Sequence, residues 1–327
     1  MGGHRYRATV PPGPPGLRRV SVNEPVDGPA NQPVDEEVAM AADDGAGVDT
    51  VQEWDRVRYD RPAQGVGRIT LQRAEAANAQ DYLMLSQLNE AFDVAAGDEE
   101  VRVVILAADG RHFSSGHDLS QGPADMDAFP TVGTQCHFDA PGAEGYMARE
   151  AEMYVGLCWR WRNLPKPTIA QVQGKVIAGG LMLVWPMDLI VVSEDATFSD
   201  PVVAFGVNGH EYFVHTFEAG ARLAKEMLFT GRALSAQELF ERGMVNKVVP
   251  RDELESATVQ LAAHIAKRPM FGLTLAKQSV NNTLDAQGMW TSIQSAFGLH
   301  HVAHSSNMQV HGMLVDPTGL KVIRDEA

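Results

Sequence analysis

The chain has 327 residues, 44% hydrophobic and 21% charged, with a formal net charge of −15. That length buries a large core, and the acidic balance argues against a nucleic-acid partner, which needs clustered basic surface. Only Cys136 and Cys158 are present, which excludes a disulfide scaffold. With no run of roughly 20 apolar residues for a membrane span and no secretory h-region, a cytoplasmic location is expected.

Residues 1–50 form a separate compositional unit. Seven prolines from Pro11 to Pro33 break any periodicity, and a basic stretch (Arg5, Arg7, Arg18, Arg19) precedes an acidic one that runs to Asp49. Such a segment has too little apolar surface to offset its ordering entropy and reads as disordered, or alternatively as a docking tail. An α/β core is expected over residues 51–249. It opens with strands at Arg56–Asp60 and Gly67–Leu71 around a turn, then a helix over Asp81–Ala96 with Leu85, Leu88 and Phe92 at helical spacing. A buried strand follows at Val101–Ala108. Residues 121–145 form a long Gly/Pro-containing loop, a lid or an insertion, before a helix over Glu144–Asn163. Thr168–Val172 is another buried strand. Ser235-Ala236-Gln237-Glu238 is a capping box, and Gly243 ends its helix. A short strand at Val245–Val249 precedes a helical region over 250–327, with helices at Asp252–Lys267, Gly272–Leu284 and Met289–Ser305.

Two glycine-containing segments carry the chemistry. His112-Phe113-Ser114-Ser115-Gly116-His117-Asp118-Leu119 follows the strand ending at Ala108. Gln173-Gly174-Lys175-Val176-Ile177-Ala178-Gly179-Gly180 follows the strand ending at Val172 and leads into an apolar helix start. Glycine lets a ligand approach the main chain closely. Two N–H groups converging on one carbonyl oxygen make an oxyanion hole.

These motifs, in this order, resemble the crotonase (enoyl-CoA hydratase/isomerase) superfamily over roughly residues 53–310. The likeness begins at Leu71-Gln72-Arg73-Ala74-Glu75-Ala76-Ala77-Asn78-Ala79 and runs through Pro165-Lys166-Pro167, Asp188-Leu189-Ile190 and Ala196-Thr197-Phe198. It ends with Phe229-Thr230-Gly231-Arg232 and Gly243-Met244-Val245-Asn246-Lys247-Val248-Val249. The resemblance implies an α/β spiral of ββα units followed by a C-terminal helical trimerisation region, hence a homotrimer or homohexamer. It also implies an acyl-CoA thioester substrate, with coenzyme A as part of that substrate, no further cofactor and no metal. Carried over by position, the hole donors are the amides of His117 and Gly179. Glu75, Ala76 and Ala77 align with the adenine-binding turn, and Arg73 is either a phosphate contact or a solvated surface arginine. Asp118 is read as a loop-fixing group.

The chain departs from the family where its hydratases keep two glutamates. Met182 and Val202 stand at those positions, and neither transfers a proton. Beyond Val202, His210, Glu211 and Tyr212 supply an imidazole, a carboxylate and a phenol. His210 and Glu211 are therefore the acid/base candidates, with helix capping as the alternative and Asp200 as a third candidate. His210 and His215 are five residues apart, one too many for a zinc-protease helix. His300 and His304 sit at i and i+4, but no acidic or cysteine partner is nearby, and a solvated or interface helix face is the expected account. Phe113-Ser114-Ser115-Gly116 lacks the leading glycine of a nucleophile elbow. Three functions remain: a hydratase or isomerase with displaced acid/base groups, a malonyl-type acyl-CoA decarboxylase or other C–C cleaving member, and a non-catalytic acyl-CoA binding protein.

Overall fold

The computed structural model describes residues 49–121, 129–133, 135 and 137–326. The expected N-terminal extension therefore lies outside the described residues, apart from Asp49 and Thr50. Those two belong to a strand not foreseen from sequence, β1 (Asp49–Glu53).

In chain order, β1 is followed by β2 (Val57–Ala63), β3 (Val66–Leu71), α1 (Tyr82–Gly97), β4 (Val103–Ala108), α2 (Ala143–Glu150) and α3 (Leu157–Arg162). Next come β5 (Thr168–Val172), β6 (Lys175–Ile177), α4 (Leu181–Val184), β7 (Leu189–Ser193), β8 (Thr197–Ser199), α5 (His215–Thr230) and β9 (Leu234–Ser235). The chain closes with α6 (Ala236–Glu241), β10 (Lys247–Val249), α7 (Leu254–Ala266), α8 (Met270–Ala286), α9 (Met289–His311) and α10 (Gly319–Glu326).

A seven-stranded sheet runs in the order β1-β2-β3-β4-β5-β7-β10, and a three-stranded sheet in the order β6-β8-β9. The first three strands pair antiparallel, and β3, β4, β5, β7 and β10 are parallel. β4 explains why a continuous apolar run marks a central strand. Its side chains alternate between faces. Val104, Leu106 and Ala108 join Leu85, Leu88 and Phe92 of α1 in one core cluster. Val103, Ile105 and Ala107 join Leu254, Ala257, Ala262 and Ala266 of α7 in the other. The first of the C-terminal helices is thus part of the sheet's packing.

Successive turns of the chain place one strand in each sheet. β5 and β7 lie in the large sheet, while β6 and β8, their immediate successors, pair in parallel in the small one. After β4 the first glycine motif takes the equivalent place, with Ser114 bridged to Val176 of β6. This stacking is the α/β spiral of ββα units expected from the sequence. The return from β5 into β6 turns at Gly174, which has φ +60°; a Cβ there would run into the Arg111 carbonyl.

Helix ends follow their local chemistry. Asp81 caps α1 by accepting from the Met84 amide at 2.7 Å, and Ser235 and Glu238 form the expected capping box on α6. The expected single helix over Glu144–Asn163 is instead α2 and α3 joined by a π-helical turn, Ala151–Gly156. Among the described residues, no helix is long and apolar enough to cross a membrane.

Candidate active site

The spiral brings the two glycine motifs side by side. Gln80 clamps them: its amide donates to the Gly116 carbonyl at 2.8 Å, and its side-chain Nε2 donates to the Gly179 carbonyl at 2.7 Å. Ser114 Oγ donates to the Asn78 carbonyl and accepts from the Gly116 amide. Gly116 has φ +96°, and a Cβ on it would sit 2.9 Å from the Ile177 carbonyl and 3.3 Å from the Gly179 nitrogen. The positive φ and the close approach both require glycine. Among the described residues, no turn or loop hydrogen bond is donated by the amides of His117 or Gly179. Gly179 lies in a short 3-10 turn directly ahead of α4.

Ala74–Ala76 form a short 3-10 turn, and Ala77 and Asn78 after it both have φ +50°. Asn78 is fully buried and holds the turn by donating to the carbonyls of Asp109 and His112 and accepting from the Arg73 amide. Glu75 is exposed. Arg73 is neither free nor fully solvated: its guanidinium lies 2.7 Å from Asp118 and 3.5 Å from Asp81, and donates to the Ala79 carbonyl. Hydrogen bonds from Ser120, together with Arg73, hold the Asp118 carboxyl down at about 2. Asp118 is tied into its loop, as the sequence suggested.

The side chain of His117 points away from the turn into a buried polar cluster. Its ring stacks on Tyr154 of the π-helical turn, centroids 4.0 Å apart, and its Nε2 lies 3.1 Å from Glu211. Burial disfavours the imidazolium, but the Glu211 carboxylate outweighs it and holds His117 above its usual pKa. Burial likewise favours neutral Glu211, yet His117 pulls that carboxyl far below the usual range. The pair is therefore imidazolium and carboxylate. Glu211 Oε1 lies 3.5 Å from His300 Nε2 on α9. Next along the line is Glu150, at the end of α2, with His300, His301 and His304 at 4.0, 3.1 and 3.5 Å. The sequence reading gave His300 and His304 no acidic partner. The fold supplies one from 150 residues away in the chain, a pairing that local spacing cannot reveal.

His210 and Glu211, expected together, face different neighbours. Residues 210–214 are irregular rather than helical, and α5 begins at His215 without a side-chain cap, so neither residue caps a helix. The irregular path also undoes the five-residue argument. The rings of His210 and His215 lie 4.5 Å apart, tilted by 33°, and His215 Nε2 meets Asp200 at 2.7 Å with both side chains fully buried. Burial favours a neutral Asp200, but the hydrogen bond and charge of His215 hold its carboxyl below the usual range. Burial pushes His210 down to about 3, so it is neutral, and neither ring nitrogen has a hydrogen-bond partner among the described residues. Met182 is buried in α4, and Val202 starts a 3-10 turn after Pro201. Sequence reasoning missed Glu150, Tyr154 and His301. A helical projection of residues 144–163 would not have found the first two, because the π-helical turn shifts their phase.

The arrangement sets two glycine turns beside the buried Glu211 carboxylate. Comparison with known proteins identifies the family. The family model described as enoyl-CoA hydratase/isomerase matches residues 61–315. EchA13 of Mycobacterium tuberculosis, whose assigned name is that of an enoyl-CoA hydratase, is 41% identical over 80% of this chain and 84% of its own. The 1,2-epoxyphenylacetyl-CoA isomerase of Escherichia coli is 33% identical over 68% of this chain and 83% of its own. A crystal structure of a probable enoyl-CoA hydratase from Mycobacterium smegmatis superposes with a TM-score of 0.73 at 47% identity, covering 80% of this chain and 99% of that one. With the family's fold, its two glycine motifs and these relatives in hand, the chain belongs to the enoyl-CoA hydratase/isomerase family of the crotonase superfamily.

Proposed function

We propose that the protein moves a proton on the acyl chain of a coenzyme A thioester, with Glu211 as the base and the amides of His117 and Gly179 as the oxyanion hole. The Glu211 carboxylate takes a proton from the carbon α to the thioester, or from its vinylogous γ position. The C–H electron pair forms a new carbon–carbon double bond, and the carbonyl pair moves onto the thioester oxygen. Two preorganised amides stabilise that oxygen, each worth about 2.7–4 kcal/mol of barrier. The protonated carboxyl then returns its proton to the other carbon, giving the isomeric enoyl thioester. The observation that carries this reading is the 3.1 Å contact between Glu211 and the side chain of His117, whose own amide is the first proposed donor.

Met182 and Val202 replace the two glutamates with which family hydratases handle water. A one-carboxylate proton transfer needs neither. Residues 74–77 present main chain to the adenine of coenzyme A, while Arg73 supports that turn through Asp118. The exposed apolar side chains of α8 and α9, among them Phe271, Leu299 and Val302, are the surface for a homotrimer or homohexamer. Light scattering of the purified full-length chain tests this, and a monomer at micromolar concentration would rule it out.

The experiment for the reaction is incubation with crotonyl-CoA, a 3-enoyl-CoA and methylmalonyl-CoA in deuterium oxide, read by mass spectrometry. Interconversion of the enoyl isomers, or deuterium entering at the α or γ carbon, supports the proposal. Addition of water without carbon-bound exchange of the substrate points to a hydratase. Loss of carbon dioxide points to decarboxylation, and tight binding with no exchange to a binding protein.

A further inference from the structure

Four residues of the polar cluster are arranged in a way the proton transfer does not use. His300 and His304 lie one turn apart on α9, and each imidazole Nδ1 sits at hydrogen-bond distance from a backbone carbonyl, Gly209 at 2.9 Å and Leu314 at 2.7 Å. A carbonyl only accepts, so both Nδ1 atoms carry the proton. The other nitrogen of each ring, Nε2, faces carboxylate oxygens. For His300 these are Glu211 at 3.5 Å and Glu150 at 4.0 Å, and for His304 Glu150 at 3.5 Å. A buried ring nitrogen facing a buried carboxylate calls for a proton or a metal cation between them. Among the described residues, His300 Nε2 and His301 Nδ1 are buried without a hydrogen-bond partner, as native interiors rarely allow, and His301 Nε2 meets Glu150 Oε2 at 3.1 Å.

We propose that Glu150, His300 and His304 form a site for a divalent transition-metal ion of zinc-like chemistry. One ligand atom from each lies within 4.8 Å of the others. With metal bonds of about 2.0–2.2 Å, ligand atoms of a tetrahedral site sit roughly 3.3–3.5 Å apart; His304 Nε2 lies 3.5 Å and His300 Nε2 4.0 Å from the Glu150 carboxylate, so a bound ion would draw His300 slightly inward. The Nδ1–H to carbonyl bonds are the outer contacts that fix tautomer and ring orientation in histidine-ligated metal sites. Glu211 Oε1 or His301 completes the set. The second cluster, Asp200 with His210 and His215, also brings three ligand atoms within reach, but its carboxylate is already engaged: His215 Nε2 meets Asp200 at 2.7 Å and the His210 amide donates to the same oxygen.

The test uses tag-free full-length protein, stripped with a chelator and then titrated with Zn²⁺ or Co²⁺ by equilibrium dialysis, with the visible d–d band of bound Co²⁺ as a second readout. The expected result is one ion per chain at micromolar or lower free concentration. His304→Ala and Glu150→Gln should each weaken binding at least about 100-fold, while His215→Asn leaves it unchanged. Circular dichroism confirms that each variant is folded, and Glu150→Gln keeps the side-chain shape should His304→Ala not fold. Failure of the wild-type protein to bind one ion overturns the proposal. So does binding indifferent to both substitutions, or binding lost to His215→Asn instead.

Discussion

Glu211→Gln removes one negative charge and leaves a side chain of the same shape beside His117. At 3.1 Å two unit charges attract by about 5 kcal/mol at an effective dielectric of about 20. Desolvation of both ions opposes most of that gain, at several kcal/mol per ion. In the variant His117 loses the partner that keeps it protonated, so it becomes neutral instead of remaining a lone buried cation. The stability loss is then that of one charge-assisted hydrogen bond, about 1.5–3 kcal/mol. Its pH dependence has a definite sign. His117 is held above its ordinary 6.5 and Glu211 below its ordinary 4.5. The pair therefore contributes fully between those two ordinary values. It is lost as pH rises through the raised His117 value, and as pH falls through the lowered Glu211 value. Urea unfolding of both proteins at about pH 5.5 and about pH 9 should show a gap that narrows at the higher pH. Turnover should fall by about 10²–10⁴, equivalent to about 3–5 kcal/mol of barrier, with the deuterium-exchange assay as the readout. A variant that exchanges substrate deuterium at the wild-type rate refutes the base assignment. A stability gap equal at both pH values refutes the ion pair.

A Cβ on Gly179 would sit 2.7 Å from the His117 ring, so Gly179→Ala displaces that ring from Tyr154 and Glu211. Turnover should drop at least about 10-fold with little change in coenzyme A affinity, and equal losses of both in kinetic and calorimetric titrations would contradict this. Asp200→Ala removes the hydrogen-bond partner of a fully buried His215 and should cost about 1–3 kcal/mol of stability at neutral pH. Because Asp200 is held below its usual pKa, that deficit should shrink as pH falls through its lowered value, which acid unfolding curves measure.

The centre of the sheet was legible because β4 and β5 are largely apolar runs between breaks, and β4 carries both faces in one such run. The adjacency of Gly116 and Gly179 was legible for a similar reason, since each follows a strand that enters the same parallel sheet. The polar cluster was not. Tyr154 is placed by a π-helical turn that no regular periodicity predicts, and Glu150 ends the helix just before it. His215 reaches His210 because residues 210–214 leave the helical path assumed in counting their spacing. Even the acidic partner of His300 depends on how α2 lies against α9, a tertiary fact with no local signal. β1 was hidden at the end of a proline-rich stretch, and only its pairing with β2 gives it a place.

Three buried or nearly buried carboxylates compete for the catalytic role, and their partners separate them. Asp200 is engaged by His215 Nε2 and the His210 amide, and among the described residues it makes no hydrogen bond to His117. Glu150 lies on the α9 side, and its contacts are with the three histidines of that helix. Glu211 is the one that touches His117, the residue whose amide stands at the glycine turn. A single carboxylate there suits a reaction in which one group takes and returns the same proton. Water addition instead needs one group to position and deprotonate water while another protonates carbon, and the two positions that serve this in the family hold Met182 and Val202. His117, already protonated by its pairing, could substitute for the second group only by surrendering the proton that Glu211 stabilises. The proposed isomerisation rests on the same feature: one carboxylate, Glu211, paired with one imidazole, His117.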